Sequence, residues 1–382
     1  MTKQQRAAIA SILNARATGV LQHDQQKFLT GLPTDEPQLA NAQQVVYANL
    51  QQLPVASWSY TLKSVHQAAS TPSEDRAVTA EVMLSYQLTG FDAVPDTHHI
   101  TMTFVERGGK LWLRDPDAGL AGSWHGIWDD GPISVAQSSS CLVIATQKTS
   151  VNLGELGALC DGAVAAVSAV WGPEWAQRAV LLMPDRLSDL RALGTGNRNL
   201  QNLSALAVAT SVDVPSGRVS GARILLNAQP ILSASVIALQ VLLTHEVTHV
   251  AARAVTRAGT PLWLQEGFAD FVGYQSAQIK PPAATATAAQ LLAEGPPSDL
   301  PGDDEITGSG TTQEGAYEYA WLAMCLLDAA VGQPALVAMY RQIAMSSDPE
   351  MSFNDWLQSH LSMTRAQFIS AWISYVKSNA AA

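Results

Sequence analysis

Apolar positions fall into two regimes along the chain. Near the N terminus, Ile9, Ile12, Leu13, Val20 and Leu21 recur at helical spacing, which predicts helix within residues 4–30. Gln38–Gln52 offers a second helix. Extended, β-rich runs follow over Ala56–His66, Ala77–Leu88 and His99–Glu106, and Gly108-Gly109 turns tightly into Lys110–Arg114. Helices followed by antiparallel strands predict an α+β domain. Gly119–Ser140, carrying Gly, Asp and Ser with Trp124, His125 and Trp128, reads as a linker. Beyond it, Cys141–Thr146, Arg178–Pro184, Ala205–Val212 and Arg223–Asn227 predict short strands, and Leu153–Trp171 a helix ended by Gly172-Pro173. From Ser233 the pattern is mainly helical, apart from an expected loop over Lys280–Gln313. The domain limits expected are therefore 1–128 and 138–382, with no repeat of fixed period.

Composition narrows the function. The 382 residues are 47% hydrophobic and only 14% charged, with a net charge of −11. Such a chain buries a core in each of two domains rather than staying disordered. The acidic balance, without any Lys/Arg cluster, speaks against nucleic acid as a partner. Lys3 and Arg6 precede the apolar Ala7–Ala15, but Asn14 and Arg16 interrupt that pattern, so a signal peptide is not expected. Ile224–Thr244 runs 21 residues without a charge, yet Asn227, Gln229, Pro230 and Gln240 break it, and a strand, turn and buried helix explain it better than a membrane span. Cys141, Cys160 and Cys325 are too few for a disulfide framework. Cys141 and Cys160 as a pair, or three buried thiols, both fit.

The chemistry sits in His245-Glu246-Val247-Thr248-His249. Val236, Leu239, Leu243, Val247 and Val250 place this string on a helix, with Ser233 or Ser235 as N-cap. Residues i and i+4 share a face, so both imidazoles can reach one Zn²⁺, while Glu246 lies beside the metal as a proton acceptor. A catalytic zinc needs a third protein ligand and one open position. Glu266, in the otherwise apolar start Pro261-Leu262-Trp263-Leu264-Gln265-Glu266-Gly267-Phe268-Ala269-Asp270-Phe271, fits that role.

The two strings together resemble the gluzincin metallopeptidases, in particular the aminopeptidase N family and other peptidase-MA-like proteins, whose second helix reads W-L-x-E-G-x-A. The resemblance implies His245, His249 and Glu266 as ligands of one zinc, Glu246 as general base, and a thermolysin-like, mostly helical domain with a small sheet. It covers about 85 residues between Arg223 and Met339. Ala252 and Val255 stand where metzincins carry a glycine and a third histidine. Asp270, four residues beyond Glu266, matches an acid that orients a zinc-bound histidine in thermolysin-like enzymes; a solvent-facing acid is the alternative. Tyr317 matches the tyrosine that donates to the tetrahedral intermediate in aminopeptidase N relatives, with Tyr319 as the rival. The element order over residues 1–128 resembles the cone-shaped nuclear transport factor-like (SnoaL-like) fold.

Departures from the family pattern shape the expected activity. The G-x-M-E-N segment that binds a free amino terminus is absent, and Gly221–Asn227 stands there instead as the expected edge strand for an extended peptide. His360 is the sole histidine after the motif and is expected to face solvent. The reading is a zinc-dependent metallopeptidase acting on a peptide or protein through metal-activated water. Its rivals are a non-catalytic zinc- or ligand-binding protein, whose cone holds a small apolar molecule, and another zinc hydrolase on the same scaffold, such as an epoxide hydrolase. Many relatives of this kind are exported or membrane-anchored, so a trimmed N terminus would favour extracytoplasmic placement.

Overall fold

The computed structural model describes residues 2–67, 76–115, 123–186, 193 and 203–380. It combines helix and sheet, and its contacts gather into two compact units. One takes residues 1–157, 180–211 and 219–233; the other takes 158–179, 212–218 and 234–382.

In the first unit α1 (Lys3–Leu21) opens with a reciprocal cap between Thr2 and Gln5. The helix expected over residues 4–30 is interrupted, because His23 adopts φ +56° and Asp24 caps a separate short helix, α2 (Gln25–Phe28). After α3 (Pro37–Leu50) the chain forms β1 (Val55–Gln67), β2 (Arg76–Leu88), β3 (Asp96–Arg107) and β4 (Lys110–Asp115), an antiparallel meander in chain order. Val78, Ala80, Val82, Leu84, Tyr86 and Leu88 are all buried, so β2 turns every second side chain inward. That face packs with Ile9 and Leu13 of α1 and with Phe28.

The expected linker is largely built structure. Residues 119–122 lie outside the described residues, but Ile127 and Trp128 are buried, and Ile133–Gln137 forms β5. Asn49 explains the ordering. Its amide donates to the Trp128 and Gly131 carbonyls, both at 2.8 Å, and its carbonyl accepts the Ile133 N–H at 3.1 Å. Every polar atom of that buried side chain is thus satisfied by the segment it anchors.

A second, mixed sheet follows. Its strands are β5, β6 (Cys141–Thr146), β7 (Ala179–Met183), β8 (Ala205–Val208) and β11 (Arg223–Leu226), in the order β5-β6-β7-β11-β8. β9 (Ser211–Asp213) and β10 (Arg218–Ser220) form a separate two-stranded pair. β11 is therefore not the edge strand that the sequence suggested. It pairs in parallel with β7 on one side and antiparallel with β8 on the other, because the chain at 205–208 folds back onto its free edge. Both ladders of β11 are used, so it has no backbone left for a peptide.

The compact units also part from the 1–128 and 138–382 division. Ile133, Leu142, Ile144, Val180, Leu182 and Leu225 join the same apolar core as α1 and β2. Buried Arg223 adds a polar tie, with Nη1 2.7 Å from Asp92 Oδ1 and Nη2 3.0 Å from Asp92 Oδ2.

The second unit is mainly helical: α6 (Val236–Ala252), α7 (Leu262–Ser276), α8 (Ala286–Glu294), α9 (Asp303–Ile306), α10 (Gly310–Val331), α11 (Gln333–Ala344), α12 (Pro349–Leu361) and α13 (Arg365–Asn379) follow α5 (Ala228–Ser233) of the first unit. The stretch 280–313, expected as loop, holds α8, α9 and the start of α10. Among the described residues one helix, α4 (Leu153–Trp171), is long and apolar enough to cross a membrane by length and composition. Leu156, Cys160, Ala163, Val164, Val167 and Trp171 line a single buried stripe on it, while Glu155 is exposed. Cys141 and Cys160 are disulfide-bonded, and Cys325 is free.

Candidate metal centre

Of the two candidate caps, Ser235 is the one that acts: its hydroxyl accepts the Ala238 N–H at 3.2 Å and starts α6. Leu243, Val247 and Ala251 fix the buried face of the helix. Thr244 and Thr248 turn their hydroxyls back onto carbonyls four residues earlier, both at 2.7 Å, so neither competes for the site. His245 and His249 then stand one turn apart, rings 4.8 Å apart and edge to face.

α7 supplies the acids. Its first turn is capped from the stretch expected to be loop, where Asp303 Oδ1 accepts the Leu262 N–H at 2.8 Å. Sequence reasoning missed Asp303, although an acid directly after Gly302 and ahead of Asp304 and Glu305 carries the composition of a helix start. It also gave no role to Gly267. A Cβ there would lie 2.6 Å from the Ala320 carbonyl oxygen, so the glycine lets α10 pack directly on α7 beside Glu266. On the opposite contact, a Cβ at Gly273 would lie 3.0 Å from the Val241 oxygen of α6.

The geometry at the centre is tight. His245 Nε2 and His249 Nε2 are 3.1 Å apart, and Glu266 Oε2 lies 3.1 Å from the first and 3.3 Å from the second. Zinc ligands at ~2.0–2.1 Å in tetrahedral array stand about 3.3 Å from one another. The three atoms therefore match one face of a zinc tetrahedron, with two nitrogens and one carboxylate oxygen as donors. Among the described residues no other group of three metal-ligating side chains converges in this way.

Asp270 closes the other side of His245. Its Oδ1 accepts from His245 Nδ1 at 2.7 Å, which orients the ring so that Nε2 faces His249 and Glu266. Asp270 is buried, so the solvent-facing alternative falls. Burial opposes charge on His245, but Asp270 and Glu266 outweigh it and hold its pKa well above the ordinary value. For Glu266 burial also opposes charge, and His249 and His245 prevail, keeping the carboxyl well below the usual range. Burial raises Asp270.

Glu246, one residue past His245 on α6, is buried. Tyr317 of α10 stacks over the His245 ring at 6.4 Å between centroids. Burial first, then the charges of Glu266, Asp270 and Glu246, drive its pKa far up, so the phenol stays a proton donor. Tyr319 is placed elsewhere. Its hydroxyl donates to the Ala288 carbonyl at 3.1 Å, and its ring packs edge-on against Trp372. His360 is exposed and stacks on Trp356.

No protein-family model matches this chain, and no curated protein matches it. Solved structures do. A two-domain M1 zinc metallopeptidase mutant bound to L-arginine is similar at 16% identity and a TM-score of 0.38, over 71% of this chain. This chain spans 58% of that protein's length. The M1 zinc metallopeptidase from Deinococcus radiodurans is similar at 12% identity and a TM-score of 0.38, over 82% of this chain and 94% of that one.

Proposed function

We propose that this protein is a zinc-dependent metallopeptidase of gluzincin type. The observation that carries the reading is the triangle of His245 Nε2, His249 Nε2 and Glu266 Oε2, no side longer than 3.3 Å, backed by Asp270 on the far nitrogen of His245. Three lone-pair donors so close repel one another unless a cation or a shared proton lies among them. Three protein ligands also leave a position open, which favours catalysis over a structural site.

His245, His249 and Glu266 would hold the metal. When bound, zinc supplies Lewis acidity, activating water at neutral pH and polarising a carbonyl. The chain's own residues do the rest. Asp270 keeps His245 in the tautomer whose Nε2 is free to bind. Glu246 takes the proton of the attacking water onto its carboxylate and returns it to the leaving nitrogen. Tyr317 donates its phenolic hydrogen to the carbonyl oxygen as negative charge grows there. The substrate is a peptide or protein segment, and β11, paired on both edges, is not what holds it.

Metal content and hydrolysis of a mixed peptide library, with and without a chelator, test the reading. One zinc per chain and chelator-sensitive cleavage are expected. His245→Ala should lose the metal, whereas Glu246→Gln should keep it and lose cleavage. Full metal retention by His245→Ala, or a zinc-loaded wild type that cleaves nothing, would overturn it.

A further inference from the structure

α7 ends at Ser276, and its last four carbonyls need partners that the helix ladder cannot supply. Three find them at the helix's own exit. Gly273 accepts from the Ser276 hydroxyl at 2.7 Å, Tyr274 from the Ile279 N–H at 2.9 Å, and Gln275 from the Gln278 N–H at 3.0 Å. The fourth carbonyl, on Ser276 itself, is met from the neighbouring helix, where Gln240 Nε2 of α6 donates to it at 3.1 Å.

A second link joins the same residues. Thr244, one turn after Gln240 and wholly buried, gives its hydroxyl hydrogen to the Gln240 carbonyl at 2.7 Å. Its oxygen is left to accept, and Ser276 Oγ stands 3.2 Å from it. Ser276 has one hydrogen to share between Thr244 and Gly273. Gln240, Thr244 and Ser276 therefore close a polar loop between the two helices. The loop is remote from the ligating end of α7, since Ser276 lies ten residues past Glu266, about 15 Å along the axis.

Its place on α6 gives it a purchase on the centre. Thr244 directly precedes His245, so the two side chains leave the helix about 100° apart. His245 Nδ1 bonds Asp270 of α7 at 2.7 Å, and Thr244 bonds Ser276 of that same helix. With the first bond alone, α6 could roll about its axis using that bond as a pivot. A second bond, from the adjoining residue to the same partner helix, stops the roll. The Val241–Gly273 contact beside them is packing, which has no direction and cannot do this.

We infer that Gln240, Thr244 and Ser276 are positioning residues for the metal centre, a polar lock that fixes the roll of α6 and so aims the His245 ring between Asp270 and Glu266. For its consequence the inference rests on the metallopeptidase reading, in which His245 is a zinc ligand. The hold on His245 is a property of the metal-free chain as well.

Two measurements on the full chain test the lock. In metal-free protein labelled with ¹⁵N-histidine, the His245 Nδ1 hydrogen, identified by its loss in His245→Ala, reports the bond to Asp270. Its exchange with water should quicken about 3- to 10-fold in Ser276→Ala and in Thr244→Val, the worth of one hydrogen bond. The double variant should be little worse than the poorer single one, because both changes break the same link. Zinc affinity, from competition with a chelator, should fall about 3- to 10-fold in Ser276→Ala. Ser276→Thr keeps the hydroxyl and should restore both readings, whereas Ser374→Ala, which removes a hydroxyl bonded back to Ser370 on α13, should change neither. Unchanged exchange in Ser276→Ala, an equal change in Ser374→Ala, or quickened exchange with unaltered zinc affinity would each overturn the inference. A wild type that binds no zinc, with exchange still quickened in Ser276→Ala, would overturn the metallopeptidase reading and leave the lock on His245 standing.

Discussion

Gly267→Ala adds one methyl group at the contact between α7 and α10. That methyl carbon would meet the Ala320 oxygen at 2.6 Å and its carbonyl carbon at 2.8 Å, where ordinary contact starts near 3.4 Å. The obstacle is backbone, so no side chain can swing aside. The helices must part by about 0.8 Å. Overpacking of this kind costs roughly 1–3 kcal/mol, against a gain of about 1 kcal/mol in helix propensity. A net loss of up to about 2 kcal/mol, read as a fall of several degrees in Tm, is expected. The effect on hydrolysis should be larger than that on stability. Glu266 adjoins the new methyl, and Tyr317 lies one turn before Ala320, so the gap opens between the proposed metal ligand and the proposed oxyanion donor. Misplacement by ~1 Å costs on the order of 100-fold in rate, so kcat should fall about 10- to 100-fold with zinc retained. Gly273→Ala, whose methyl would meet the Val241 oxygen at 3.0 Å, should show a milder version. If Gly267→Ala is as stable as wild type and equally active, α7 and α10 do not pack as closely as argued.

Asp270→Asn should weaken zinc binding about 10- to 100-fold, measured by competition with a chelator, because the amide no longer fixes the His245 tautomer. Tyr317→Phe should lower kcat and kcat/KM together by ~10²–10³ with little change in KM, whereas Tyr319→Phe should leave kcat intact and cost about 1 kcal/mol through its lost bond to Ala288. Burial pushes the Cys325 thiol up to about 12, so the native protein should react sluggishly with a thiol reagent at pH 8. Unfolded without reductant it should titrate one thiol, and with reductant three; three in both cases would refute disulfide bonding at Cys141 and Cys160.

What the sequence revealed and concealed follows from the range of the forces involved. The two histidines are read from one helix, where i and i+4 spacing fixes their common face without help from the rest of the chain. Glu266 is legible for a related reason: a lone acid in an apolar helix start is costly unless something uses it. The interior position of β11 was not legible, since strand order depends on residues 205–208 returning from a distance. Nor was the ordered stretch after residue 122. Its Gly, Asp and Ser composition signals a loop, and the tie that binds it comes from Asn49, some 80 residues earlier. Nothing in the sequence of α3 marks Asn49 as the residue that will hold it.

The centre itself depends on the register between α6 and α7, and that register is set by three antiparallel contacts. Val241 faces Gly273, His245 faces Asp270, and His249 faces Glu266. Each contact after the first lies four residues further along α6 and three or four back along α7, one turn on either helix. The first contact is pure packing, possible because residue 273 has no side chain. The next two are charged hydrogen bonds that function only while the first holds. A slip of one turn would set His245 against Glu266 alone and leave Asp270 buried without its imidazole, an uncompensated carboxylate in an apolar helix contact. The polar pairs therefore penalise misregister, and the glycine contact permits the close approach they need. Helix register and the geometry of the proposed metal centre are one constraint here, which is why Gly273 bears on the site although it has no side chain to place there.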